Sequence, residues 1–241
     1  AFGADWPWQA VVAASSVLCV AGGALVVAVG DGPHVQRNAS AAQGARLGAG
    51  FRAFASADFR RAAFGYFGHM WELYTFWTLA PVIVALLLSE WTQGTQRDVS
   101  LLAFAVVGAG FIGCVGGGIA SMRWGSESVA AFALALSGAM CAVVPLSVSW
   151  PVEVRAALLF AWGVFVVADS PQFSNLSRMA CPPALVGSAL SIQNAIGFAI
   201  TTLSIGMATR LLPGAGLHVS WLLLAGPVLG LAAMYHRKPP S

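Results

Sequence analysis

Long apolar stretches with almost no charged side chains constrain this chain more than any other feature. A bilayer core of about 30 Å takes about 20 helical residues to cross. Seven stretches of the 241-residue chain are long and apolar enough, and they comprise residues 8–29, 62–88, 100–120, 129–148, 152–172, 184–207 and 217–235. Because lipid offers the backbone no hydrogen bonds, each stretch should be a helix. The predicted fold is therefore all-α, a polytopic transmembrane helix bundle of about seven spans.

The composition excludes several other classes of protein. Hydrophobic residues make up 58% of the chain and charged residues 9%, whereas soluble domains carry about 25% charged residues. A disordered chain, a secreted disulfide scaffold and a nucleic-acid-binding protein are all excluded by these values. No cofactor is indicated. The chain begins with Ala1 and lacks the basic start of a signal peptide, which favours a piece of a longer protein.

The distribution of basic residues predicts the orientation in the membrane. If the spans alternate in direction, nine of the 12 basic residues fall on one side: Arg37, Arg46, Arg52, Arg60, Arg61, Arg123, Arg178, Arg237 and Lys238. The other side receives Arg97, Arg155 and Arg210. The positive-inside rule then places the C-terminus and the long connection, residues 31–61, in the cytoplasm. The predicted parts are a single span in residues 1–30, this cytoplasmic loop with a short interfacial helix near 51–61, and a six-span unit in residues 62–241.

Two ionisable residues lie deep in the second apolar stretch. An ionisable group at mid-membrane costs about 2.5–3.5 kcal/mol, so it persists only where it is paired or faces water. His69 and Glu72 are three residues apart and share a helix face, with Tyr66 beside them and with Gly65 leaving room next to His69. One interpretation is a cavity-lining pair that binds substrate or carries a proton; the other is a His–Glu pair that ties helices together. Two such residues without a third do not indicate a metal site.

Polar residues in the fifth and sixth stretches are further candidates. Asp169 is followed by Ser170 and Pro171, which predicts a helix break that lines a cavity or, alternatively, a helix end capped by its own side chains. Gln193 and Asn194 lie in the sixth stretch. One face of this stretch carries Ser191, Asn194, Phe198 and Thr201. Such a stripe either faces an aqueous cavity or forms hydrogen bonds to another helix.

The arrangement resembles the C-terminal half of a major facilitator superfamily transporter, preceded by the last helix of the N-terminal half. Residues 65–74, GYFGHMWELY, resemble the start of the seventh helix in a bacterial branch of that family, and residues 193–198, QNAIGF, are similar to its eleventh helix. The family's loop motif is Gly, three residues, Asp, Arg, one residue, Gly, Arg. Gly118, Arg123 and Gly125 match its second-half copy, whereas Met122 and Ser126 depart from it.

The resemblance implies secondary active transport of a small solute by alternating access between two halves. It places His69, Glu72, Asp169 and Asn194 on helices that carry cavity residues in this family. The hypothesis is a solute transporter of the bacterial inner membrane, in which His69 and Glu72 sense a proton or contact the substrate; uniport, symport and antiport all stay open, with symport the working assumption. The implied partners are a small-molecule substrate, the lipid bilayer and the missing N-terminal half.

Two other functions stay open at this point. A seven-helix photoreceptor would need a lysine inside the bundle for a Schiff base, but the only lysine is Lys238 in the tail. A membrane-embedded enzyme would need a nucleophile and a base, for which Ser188 and His69 are the available residues. The sequence contains no HExxH or GxSxG motif, so a non-enzymatic function is predicted.

Overall fold

A computed structural model describes residues 7–30, 47–88 and 95–235. Within these ranges 93% of the residues are helical and no strand occurs, which confirms the all-α class. The chain divides into two units, Ala1–Ala45 and Arg46–Ser241. Of the first unit the structure describes one apolar helix, α1, which begins at Trp8 and ends at Val29.

The second unit contains eight α-helices among its described residues. Their bounds are α2 Ala57–Leu88, α3 Gln96–Gly108, α4 Gly110–Trp124, α5 Ser126–Val143, α6 Val152–Ala168, α7 Ser170–Met179, α8 Val186–Ala215 and α9 Ser220–Tyr235. Short 3-10 helices at Leu47–Ala55, Val144–Ser147, Pro183–Leu185 and Gly216–Val219 precede or connect them.

Five helical stretches in the described residues are long and apolar enough to cross a membrane. They are Trp8–Val29, Ala57–Leu87, Gln96–Trp124, Ser126–Ser147 and Pro183–Tyr235. The last has 53 residues and includes both α8 and α9, which the 3-10 helix Gly216–Val219 connects. Gly216 has φ +53°, a conformation that L side chains rarely adopt, so glycine suits this turn. Length and composition thus indicate an integral membrane protein, and the number of seven spans stays a prediction.

Helix α2 is the centre of the second unit. It has 32 residues, so it is about 48 Å long, and α3, α6, α7, α8 and α9 all pack against it. Close approach to α9 depends on glycine at both surfaces. A Cβ atom on Gly68 would overlap the carbonyl oxygen of Gly226, and one on Gly226 would overlap that of Gly68. The GxxxG spacing of Gly226 and Gly230 therefore serves helix packing, as it does in other membrane bundles.

Several helix boundaries differ from the predicted ones. The stretch predicted to begin at residue 62 forms a helix from Ala57, so residues 57–61 of the predicted loop are helical. A single short helix is predicted near residues 51–61. The structure has a 3-10 helix, Leu47–Ala55, followed by the start of α2 at Ala57. The stretch 152–172 is two helices, because α6 ends at Ala168 and α7 begins at Ser170. The predicted break at the Asp169 cluster is therefore confirmed.

Candidate functional site

The polar centre of the second unit is a group of ionisable side chains carried mainly by α2. His69 and Glu72 are each 1% exposed, and Asp169, between α6 and α7, is 0% exposed. Burial of three such groups among apolar helices is costly unless each finds polar partners. The contacts of each group are therefore the main evidence on what this region does.

Glu72 is fully partnered by residues of α5 and α6. Its Oε1 atom accepts a hydrogen bond from the indole Nε1 of Trp162 at 2.7 Å and another from the thiol of Cys141 at 3.3 Å. Its Oε2 atom lies 2.9 Å from the Oγ atom of Ser137. Trp162, Ser137 and Cys141 are themselves buried, so the carboxyl group and its partners are all enclosed by protein.

His69 is paired with Asp169 instead of Glu72. The Nδ1 atom of His69 lies 2.9 Å from Oδ1 of Asp169. This pair is close enough for a hydrogen bond but is not aligned for one, since both Asp169 oxygens lack a hydrogen-bond partner within the described residues. The Nε2 atom of His69 likewise has none there. The pair therefore keeps unused hydrogen-bonding capacity inside the protein.

The break between α6 and α7 positions Asp169. Asp169 occupies the N-cap position of α7, but its side chain makes no capping hydrogen bond. The alternative of a helix end capped by its own Asp is therefore wrong. The carboxyl group of Asp169 is instead directed to His69 on α2. The ring of Phe173 from α7 fills the space beside Gly65, where a Cβ atom would overlap it, and lies 6.1 Å from the ring of His69.

The polar residues of α8 serve contacts between helices. The hydroxyl of Tyr66 donates to Oδ1 of Asn194 at 3.0 Å, and Asn194 is exposed. Thr201 donates to the backbone oxygen of Met70 at 3.0 Å. The interhelical alternative therefore holds for these two residues of the stripe. Gln193 is 1% exposed, and its Oε1 atom has no hydrogen-bond partner among the residues that the structure describes.

The loop-motif residues lie where α4 ends and α5 begins. Gly125 has φ +79°, and its N–H donates to the oxygen of Ser121 at 3.0 Å, so it terminates α4 in a conformation suited to glycine. Arg123 is exposed in the last turn of α4. Gly118 has open space where a Cβ atom would lie. In this structure the motif is a helix terminus with an exposed cation.

Two further arginines that the sequence assigns to the cytoplasmic side, Arg61 and Arg178, also lie at this end of the second unit. Arg61 forms an ion pair with Glu127 at 2.7 Å and donates to the backbone oxygen of Met234 at 2.6 Å. Arg178 donates to Asn175, which in turn donates to Ser126 at the start of α5. Arg37, Arg46, Arg237 and Lys238 lie outside the described residues.

The sequence did not single out Ser137, Cys141 or Trp162. All three lie in apolar stretches, where they resemble packing residues. One usable signal was that Ser137 and Cys141 are four residues apart and so share a helix face. Nothing in the local pattern of Trp162 indicates that its indole N–H would meet a carboxyl group.

The residues of the enzyme alternative, Ser188 and His69, have other contacts in the described part of the chain. The described part of the chain has no cluster of three His, Cys, Asp or Glu residues that could hold a metal ion. The Ser188 hydroxyl donates to the oxygen of Leu185 at 3.0 Å, while the Nδ1 atom of His69 faces Asp169. A cavity of about 670 Å³ between α4, α5 and α6 is lined by Gly113, Gly117, Phe132 and other mostly apolar residues, and it includes none of the predicted site residues.

Comparisons with protein-family models, with curated proteins and with solved structures found no match to this chain.

Proposed function

We propose that this chain is part of a secondary active transporter of the major facilitator type, which moves a small solute across a membrane by alternating access. The observation that carries the proposal is the burial of His69, Glu72 and Asp169 inside a unit built of long apolar helices. Ionisable groups in such a setting are expensive, and they typically mark proton relays or substrate pathways.

The interrupted helix supports the same proposal. Asp169 lies at the junction of α6 and α7, and broken helices in transporters commonly bring polar groups to the substrate or coupling-ion site. The polar atoms near this junction, Nε2 of His69 and both oxygens of Asp169, lack hydrogen-bond partners within the described residues. A solute with hydrogen-bond donors and acceptors would satisfy them.

The proposed roles follow from these contacts. His69 and Glu72 couple transport to the proton, Asp169 is the charge partner of His69, and Tyr66, Gln193 and Asn194 contribute polar groups to the substrate path. A missing N-terminal half completes that path. The host membrane is the bacterial inner membrane, with the basic end that includes Arg61 and Arg178 in the cytoplasm.

The test is proton-coupled uptake in proteoliposomes that contain the full-length protein and an internal pH dye. A panel of small anions, amino acids and lipophilic drugs is added outside. We expect at least one solute to drive proton entry, and we expect Glu72→Gln and His69→Ala to reduce that entry at least tenfold and to remove its pH dependence.

The matched control is Thr202→Val, because the Thr202 hydroxyl is exposed and, among the described residues, donates to the oxygen of Phe198 in its own helix. This variant should transport at the wild-type rate. Wild-type rate and wild-type pH dependence in both Glu72→Gln and His69→Ala would refute the coupling role.

A further inference from the structure

The hydrogen bonds of Glu72 distinguish its two oxygens. Oε1 receives the indole N–H of Trp162 at 2.7 Å, and an indole nitrogen can only donate. Oε1 is therefore an acceptor in either protonation state of Glu72. Oε1 also accepts from the thiol of Cys141 at 3.3 Å. A proton on Oε2, the atom that faces Ser137 at 2.9 Å, leaves both of these hydrogen bonds in place, so Oε2 is the oxygen suited to hold a proton.

Ser137 has two acceptors within reach but one hydrogen. Its Oγ atom lies 2.9 Å from Oε2 of Glu72 and 3.1 Å from the backbone oxygen of Leu134. A hydroxyl group has one hydrogen to donate and two lone pairs that can accept. When its hydrogen turns to Leu134, a lone pair is left for a donor on Oε2. When the hydrogen turns to Oε2, Ser137 donates to a carboxylate.

We propose that Oε2 of Glu72 is a buried proton-binding site and that rotation of the Ser137 hydroxyl keeps it hydrogen-bonded both with and without the proton. On protonation a hydronium ion of the solvent gives up a proton and becomes water, an O–H bond forms at Oε2, and this group donates to Oγ of Ser137. The Ser137 hydrogen moves from Oε2 to the oxygen of Leu134. No heavy atom has to move and no other covalent bond changes. The role of this proton in transport rests on the proposed function; the binding site itself does not.

The surroundings suit a group that changes charge. The titratable side chains that interact electrostatically with Glu72 are His69 on its own helix, Cys141 on α5 and Asp169 before α7. The side chains of α8 and α9 that bond to or pack on the nearby part of α2, among them Thr201, Ser204 and Leu223, are uncharged. Ser137 is thus a positioning residue that supplies the hydrogen bond matching each state of Glu72.

Infrared spectroscopy of the purified full chain in lipid nanodiscs tests this directly. A protonated carboxyl group gives a C=O stretching band that carboxylates lack, so subtracting the pH-difference spectrum of Glu72→Gln from that of the wild type isolates the band of Glu72. We expect one titrating band that is lost in Glu72→Gln and kept in Asp169→Asn. In Ser137→Ala the band should move to higher wavenumber because the acid has lost its acceptor, whereas Ser137→Thr should keep it in place.

Ser147 provides a matched control. It is also buried, and its hydroxyl donates to the oxygen of Val144, three residues earlier, as Ser137 does to Leu134. Within the described residues Ser147 makes no hydrogen bond to a carboxyl group, so Ser147→Ala should leave the band unchanged. If Ser137→Ala does not fold, Ser137→Cys keeps the size but is a weaker acceptor, and it should shift the band in the same direction.

The outcomes separate this inference from the proposed function. A Glu72 band that is absent at every pH, or one that Ser137→Ala leaves in place, overturns the proton site even if the protein transports a solute. A titrating band that responds to Ser137 in a protein with no transport activity supports the proton site and removes only the transporter proposal.

Discussion

Two ionisable groups on the same face of α2 have opposite environments. Glu72 has a partner at each oxygen, supplied by Trp162, Cys141 and Ser137. His69 has an ion-pair partner in Asp169, but its Nε2 atom and both Asp169 oxygens have no hydrogen-bond partner within the described residues. A fully partnered buried group stabilises one arrangement of helices, whereas a partly partnered one retains capacity for a ligand. The difference leaves unused hydrogen-bonding capacity at the His69–Asp169 pair and none at Glu72 within the described residues.

The largest loss of stability is expected when the hydrogen bonds of Glu72 are removed. Glu72→Ala leaves the buried indole N–H of Trp162 without an acceptor and creates a cavity, so the free energy of unfolding should fall by about 3–5 kcal/mol. Glu72→Gln should cost less than about 1.5 kcal/mol, because its amide can accept from Trp162 and donate to Ser137. Unfolding in mixed detergent micelles measures both. Equal losses would mean that the hydrogen bonds contribute little.

A smaller effect is expected at the His69–Asp169 pair. Asp169→Asn keeps the size of the side chain and removes its charge, and the structure shows no aligned hydrogen bond that would be lost. The free energy of unfolding should fall by about 1–2 kcal/mol, with a coupling to His69→Ala of about 1 kcal/mol in a double-mutant cycle. Unfolding of the two single variants and the double variant gives that coupling. A loss as large as that of Glu72→Ala would show that the two environments do not differ.

The smallest effect sets the scale of an ordinary interhelical hydrogen bond. Thr201→Val removes the bond to the backbone oxygen of Met70, and such bonds in membrane bundles contribute about 0.6 kcal/mol. Thr202→Val removes only a bond within α8 at an exposed position, so its effect on unfolding should be near zero. The same micelle measurement compares the two. If Thr201→Val lowered the free energy of unfolding by more than about 2 kcal/mol, this bond would be stronger than an ordinary interhelical hydrogen bond.

Some features of the fold and the site are local and could therefore be predicted. Apolar length predicts membrane helices, because the backbone must satisfy its own hydrogen bonds wherever water is absent. The ionisable residues of α2 stand out for the same reason, and the break at Asp169 follows from Pro171 in the first turn of α7, where a proline is tolerated. Helix boundaries were less accurate, since polar residues such as those at 57–61 extend α2 beyond its apolar part.

By itself, the sequence determined that this chain forms long apolar helices and that His69 and Glu72 share one face of α2. Only the tertiary structure decided their partners, giving Asp169 to His69 and Trp162 to Glu72. Those partners lie about 100 and 90 residues away along the chain. The physical reason is that periodicity fixes which residues share a face of one helix, whereas the partner of that face depends on how all the helices pack.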